Sequence, residues 1–264
     1  CLVIMLITKH HDETRAQIAS ALLHLKDGGL ITVAGANDAG GKRIEKDFMA
    51  LGLVPAGDSK HKSRIVQAQR TSDVNVELAQ AWVAQGDWQP VLQGRFISRP
   101  GLFNWDSIDA GSQLLTESLP ELSGRGADFG CGYGYLSTHV LTHCAGITHM
   151  TAYDVDARAV EACRKNTKMA AGRVECVWQD LTQLPTQRDF DFIVMNPPFH
   201  EGAAAQSQLG INFIKTAAFC LKPGGHLYMV ANTHLPYEEA LKALFAEVRP
   251  INQGKGFKII KATR

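Results

Sequence analysis

Asn196-Pro197-Pro198-Phe199 is the segment whose residue types and spacing point most directly to a chemistry. Two prolines fix their own φ angles, and Pro197 pushes Asn196 out of the right-handed helical region. The Asn196 side-chain oxygen and the Pro197 carbonyl are thereby held as a pair of hydrogen-bond acceptors at the end of an apolar run. An exocyclic amine on a planar ring has two hydrogens to donate to such a pair. Its lone pair then points toward an electrophile instead of conjugating with the ring. Phe199 offers a face on which a base can stack. A bare turn is the competing explanation of the same four residues.

A second cluster lies upstream, in Asp128-Phe129-Gly130-Cys131-Gly132-Tyr133-Gly134. Glycines at this spacing let backbone approach a ligand closely, and a following helix would present free N–H groups to it. A dinucleotide site wants G-x-G-x-x-G, but position 135 is Tyr and the spacing is G-x-G-x-G. An acid two residues before the first glycine, with this compressed spacing, is the usual first motif of S-adenosylmethionine-dependent methyltransferases. Asp154 comes ~24 residues after Gly130, where a carboxylate can accept both ribose hydroxyls of a nucleotide. NAD-binding proteins place an acid there too, so Asp154 alone leaves both cofactors open. Asp156 is expected to cap the next helix. Asp180 offers an acceptor to an adenine amine, or serves only as a turn residue. Cys131 is read as a small filler of the loop and not as a nucleophile. His139, His143 and Cys144 resemble a metal-ligand spacing, but no Glu and no second pair accompany them, so no metal is expected.

The elements that must position these residues follow an alternating pattern. Strands are expected at residues 126–129, 150–153, 174–178, 190–195 and 227–230, with helices at 135–144, 156–169 and 208–221 between them. Strands alternating with helices imply an α/β fold with a doubly wound, mostly parallel sheet covered on both faces. Its ligand crevice lies at the C-terminal ends of the strands. The chain has 264 residues, 45% of them apolar and 20% charged, which suits a soluble protein with a filled core. No apolar run is long enough to span a membrane. A net charge of +1 announces no global nucleic-acid field, although Lys60, Lys62 and Arg64 cluster locally. The six cysteines form no C-x-x-C pair, which argues against a zinc ribbon or a disulfide scaffold and for a reducing cytoplasm.

The first third repeats the last. A strand at 2–7, a helix ending in Leu25-Lys26-Asp27-Gly28-Gly29 and a strand at 30–37 parallel the run from 192 through Leu221-Lys222-Pro223-Gly224-Gly225 to 232. Each copy continues into a helix (42–51 and 237–248) and a strand (63–69 and 256–262). The chain is therefore read as two domains, 1–89 and 90–264, with residues 86–101 linking them. The first copy begins at its fourth strand and would be a half-sheet.

On these motifs the chain resembles the bacterial ribosomal RNA guanine-N(2)-methyltransferases, over nearly its whole length. Members carry tandem methyltransferase-like domains, a degenerate first copy and a working second one. The resemblance implies a Rossmann-like class I methyltransferase fold preceded by a truncated, degenerate copy of the same fold. A segment similar to Phe96-Ile97-Ser98-Arg99-Pro100-Gly101-Leu102-Phe103 and Asp106 to Leu115 closes over the methionine end of the cofactor in that family. It thereby places Gly111, Ser112 and Gln113 near the cofactor. The cofactor is S-adenosyl-L-methionine, leaving as S-adenosyl-L-homocysteine. It is held by Asp128, Gly130, Cys131, Gly132, Gly134, Asp154, Asp180 and Asn196, with Asn196, Pro197 and Phe199 at the reacting amine. The implied substrate is the 2-amino group of a guanine in ribosomal RNA, the 16S type before the 23S type, in free RNA or an assembled subunit. A cytoplasmic monomer is expected. The first copy shows Ile7-Thr8-Lys9-His10 where the second has Asn-Pro-Pro-Phe, so substrate positioning is its expected role. By this comparison the sequence is a member lacking about its first quarter. A methyltransferase for another planar amine or amide (protein glutamine or a DNA adenine) is one alternative, and a non-catalytic RNA-binding or NAD-dependent protein is another.

Overall fold

The structure, a computed structural model, describes residues 1–183, 187–198 and 203–264, with the backbone alone over 203–207. Phe199 and His200 lie outside the described residues. The chain forms two compact units, Cys1–Gln89 with Ser98–Gly101, and Pro90–Ile97 with Leu102–Arg264.

The first unit runs β1 (Leu2–Leu6), α1 (His11–His24), β2 (Leu30–Ala36), α2 (Ile44–Ala50), β3 (Ala56–Lys60), β4 (Ser63–Gln69) and α3 (Val76–Gln85). Its sheet has the order β1-β2-β4-β3, with β1 and β2 parallel and β4 antiparallel to both neighbours. Ile18 and Leu22 of α1, Phe48 of α2 and Trp82 of α3 close a core over Ile31, Val33 and Val66. Asp47 is buried there and accepts from His11 Nε2 and Arg15 Nε, each at 2.9 Å. A two-stranded ribbon of β5 (Gln89–Val91) and β6 (Phe96–Ser98) follows, within the stretch expected to link the two domains.

The second unit continues with α4 (Ala110–Ser118), β7 (Ser123–Phe129), α5 (Tyr135–His143), β8 (Gly146–Asp154), α6 (Ala157–Asn166), β9 (Val174–Trp178) and β10 (Phe190–Met195). It ends with α7 (Ala203–Cys220), β11 (Leu221–Asn232), α8 (Glu238–Leu244), β12 (Glu247–Gly254) and β13 (Phe257–Thr263). The seven strands lie in the order β12-β13-β11-β10-β7-β8-β9, all parallel except where β13 meets its two neighbours. The chain winds outward from β7 in both directions, so the crevice opens between the ends of β7 and β10. Ile193 and Met195 face a core under α7, while Phe192 and Val194 face one under α4 and α5.

The two units share their topology, since β1-β2-β4-β3 repeats β10-β11-β13-β12. Leu30 opposes Leu2 and Gln69, as His226 opposes Phe192 and Thr263. By that register Ile4 matches Val194, and Leu6 rather than Ile7 stands level with Asn196. Leu2, Ile4 and Leu6 are 53%, 72% and 74% exposed, on the sheet face that α4 and α5 cover in the second unit.

Each copy contains one strand more than the sequence pattern suggested. β3 is exposed at every position and so carries no apolar alternation. The helix expected at 237–248 ends at Leu244, and β12 begins at Glu247. β12 is an edge strand with a register shift at Pro250, where proline's missing donor does no harm. Two other expected helices are shorter, because 3-10 turns at Gly41–Arg43 and Lys168–Ala170 replace one end of each. Among the described residues no helix is long and apolar enough to cross a membrane.

Candidate active site

At the end of β7 the chain turns through Gly130, Gly132 and Gly134, with φ of 78°, 54° and 92°, a region costly for any residue with a Cβ. The amides of Gly130 and Cys131 both donate to the Tyr153 carbonyl at 2.9 Å, which ties the loop to β8. At Gly134 a Cβ would stand 2.9 Å from Cys163 Sγ and 3.0 Å from its Cα, so only glycine lets α5 start against α6. At Gly132 it would meet nothing within 4 Å. That glycine leaves bare backbone beside open space, where a ligand can approach.

Asp154 closes β8 and receives the Gly132 amide on Oδ2 and the Asp156 amide on Oδ1, each at 2.9 Å. Burial raises its pKa above the ordinary value, opposed by those amide donors. Asp156 caps α6, accepting from the Arg158 amide at 2.9 Å. Asp128 is fully buried and lines no part of the cleft. Its Oδ2 accepts from the Ser137 amide (3.1 Å) and hydroxyl (2.7 Å), while Oδ1 has no partner among the described residues. Burial pushes its pKa up to about 7. Cys131 is buried beside Cys163 and Cys176 and also borders the cleft beside Gly130.

A cleft of about 730 Å³, counting the solvent space at its mouth, opens over these strand ends. Asp154, Asp180 and Asn196 supply polar groups to it, and Phe103, Val155, Leu181, Leu209 and Phe213 supply apolar walls. A smaller lobe of about 400 Å³ reaches Asp109, Ser112 and Tyr133 and shares Phe103, Gly130 and Asn196 with the larger one. Asp180 is on the rim, with Oδ1 accepting from the Thr182 amide (2.8 Å) and hydroxyl (2.7 Å), which hold its pKa below the ordinary value. Gly111 and Ser112 are buried in the first turn of α4. Gln113 lines neither lobe, and its amide donates to Glu117 at 3.0 Å.

Asn196 stands where the two lobes meet. Its Nδ2 donates to Asp109 Oδ2 and to Ser112 Oγ, each at 2.8 Å. Its Oδ1 is buried with no hydrogen-bond partner among the described residues. A buried acceptor left bare is costly unless a ligand supplies the donor. The site therefore combines the glycine backbone at Gly130, the Asp154 carboxylate, apolar walls and an acceptor unpaired among the described residues. Of these, sequence reasoning missed the apolar walls and gave Asp109 no role. The stacking face assigned to Phe199 lies outside the described residues.

Two family models match the chain in order. The Methyltransferase small domain N-terminal matches residues 1–85, and the Methyltransferase small domain matches residues 93–261. The Ribosomal RNA small subunit methyltransferase C of Vibrio vulnificus is 31% identical over 270 residues, covering 100% of this chain and 77% of its own. That of Shewanella piezotolerans is 30% identical over 240 residues, covering 89% and 69%. Among solved structures, the T. thermophilus 16S rRNA N2 G1207 methyltransferase in complex with AdoMet and guanosine superposes with a TM-score of 0.82. It is 24% identical, and the match covers 100% of this chain and 72% of that one. That superposition shows the class I methyltransferase fold, Rossmann-like, with an additional domain before it. With both family models matched in sequence order and a relative aligned from end to end, the chain belongs to the ribosomal RNA small subunit methyltransferase C family.

Proposed function

We propose that the chain transfers a methyl group from S-adenosyl-L-methionine to the 2-amino group of a guanine in small-subunit ribosomal RNA. The observation that carries this reading is the bare, buried Oδ1 of Asn196 at the junction of the two lobes. Guanine presents its 2-amino group as a hydrogen donor, which is what that acceptor lacks. The names of the Vibrio and Shewanella relatives and of the T. thermophilus structure point to the same reaction.

The residues present fit the cofactor. Asp154 keeps lone pairs free for ribose hydroxyls, Val155, Leu181 and Phe213 flank a space for the base, and Gly130, which borders both lobes, presents backbone to the cofactor. Bound there, S-adenosylmethionine supplies an electrophilic methyl carbon on a sulfonium, so the protein needs positioning more than acid, base or nucleophile. Asn196 Oδ1 accepts one amine hydrogen and turns the nitrogen lone pair out of conjugation. Transfer would break the methyl–sulfur bond as the N–C bond forms, releasing neutral S-adenosylhomocysteine. The positive charge passes to the amine, where the same oxygen would stabilise it until the proton is lost to water. A stacked guanine must leave its helix to reach this oxygen. Asp128 lies behind the loop and holds it to α5 through Ser137. We assign the first unit to RNA positioning. Lys60 and Lys62 stand exposed at the β3–β4 turn, whereas Arg64 pairs with Glu45 at 2.9 Å.

The test is transfer of a labelled methyl group from S-adenosylmethionine to small-subunit RNA, read after digestion as labelled N2-methylguanosine. Label on another nucleoside, or none, would overturn the proposal.

A further inference from the structure

We propose that Asp109 is a positioning residue that fixes the orientation of the Asn196 carboxamide and so makes that side chain select a donor. This inference rests on the methyl-transfer reading and adds to it the residue that sets the acceptor. A carboxamide has two ends of similar shape and opposite hydrogen-bonding character. Which end faces the cleft decides whether it receives an amine or a carbonyl. Of the two groups that hold Asn196, the Ser112 hydroxyl can donate or accept, so it does not decide. The Asp109 carboxylate can only accept, so the atom 2.8 Å from its Oδ2 must be the NH2. A flipped amide would set oxygen against carboxylate and turn Nδ2 toward the substrate.

Asp109 is itself held. The same Oδ2 accepts the Ser112 amide at 2.7 Å, the N-cap of α4, and Asn104 Nδ2 approaches Oδ1 at 3.4 Å. One carboxylate thus both starts α4 and orients a side chain 87 residues later in the chain. Guanine carries a donor at its 2-amino group and acceptors at O6 and N7. Only the observed amide orientation matches the amine.

Asp109→Ser separates the two roles. Serine still caps a helix, but its single hydroxyl donates as readily as it accepts and no longer dictates the amide. The expected result is a fall in kcat of about tenfold or more. The cofactor Kd should stay within about threefold and the melting temperature near that of the parent. Asp109→Asn, which keeps the shape but can offer NH2 to Asn196, should fall in the same direction. Single-turnover rates with excess enzyme extend the comparison to the Asn196→Ala background, where Asp109→Ser should cost nothing further. Unchanged kcat in both Asp109 variants would overturn the proposal. So would a full additional loss in the Asn196→Ala background, or a loss of kcat that follows loss of folding or of cofactor binding. If Asn196→Ala alone keeps parental activity, the assignment of its Oδ1 to the reacting amine fails, and if the parent forms no N2-methylguanosine the methyl-transfer reading fails; both results are distinct from failure at Asp109.

Discussion

At the scale of single residues, Asp154 and Asn196 both line one cleft and are expected to fail differently. Asp154 is proposed to accept the cofactor's ribose hydroxyls, and a hydrogen bond to a charged group contributes about 1.5–3 kcal/mol. Asp154→Ala should therefore weaken S-adenosylhomocysteine binding by roughly tenfold to a hundredfold in calorimetry. Unchanged affinity would reduce Asp154 to a loop anchor, holding only the Gly132 and Asp156 amides. Asp128 makes a different statement, about stability. Its folded pKa of about 7 lies above the ordinary value of 3.8, because burial disfavours the charge. A raised carboxyl pKa contributes stability that is complete below the unfolded value and is lost as pH rises through the folded one. Relative to Asp128→Asn, which stays neutral, the parent should lose stability between about pH 4 and pH 7. A difference between the two that does not move with pH across that window would contradict the buried, weakly partnered carboxyl.

At the scale of elements, the site depends on how the β7–α5 loop packs. Gly134 starts α5 with φ 92° against the backbone of Cys163. Gly134→Ala should cost at least ~1–2 kcal/mol from the left-handed backbone alone, with the contact at Cys163 adding to it. Thermal unfolding should show that loss together with weaker cofactor binding, and an unperturbed variant would mean that α6 yields easily. This loop was legible from sequence, since glycine and proline record backbone demands directly. The apolar walls were not. Val155, Leu181 and Phe213 look in sequence like any strand-end or helix-core residue, and only the fold turns them toward a shared space. Asp109 could be read as a helix cap, but its partner is 87 residues away. The edge strands β3 and β12 escaped for a related reason. A strand with little buried surface carries no alternation to detect, and the same omission recurred in both copies because both have that edge.

At the scale of the whole molecule, one topology appears twice. In the first unit the strand end is satisfied locally. The Thr8 amide donates to Thr14 Oγ1 at 3.0 Å, and the Thr8 hydroxyl donates to the His10 carbonyl at 3.0 Å. No carboxamide stands level with Asn196 there, since that place is held by Leu6. Titration with S-adenosylhomocysteine should therefore reach about one site per chain, and two sites would show that the first unit binds cofactor as well. The repeat could be read from the sequence, and the proposed division of labour between the units rests on the Asn196 oxygen that has no partner among the described residues. The most direct measurement is nucleoside mass spectrometry of small-subunit RNA after incubation with S-adenosylmethionine and either the parent or Asn196→Ala. The parent should yield N2-methylguanosine, and the variant should lose at least ~10²-fold of that rate with cofactor affinity within a few-fold. N2-methylguanosine formed by Asn196→Ala at close to the parental rate would contradict the assignment of that oxygen to the reacting amine.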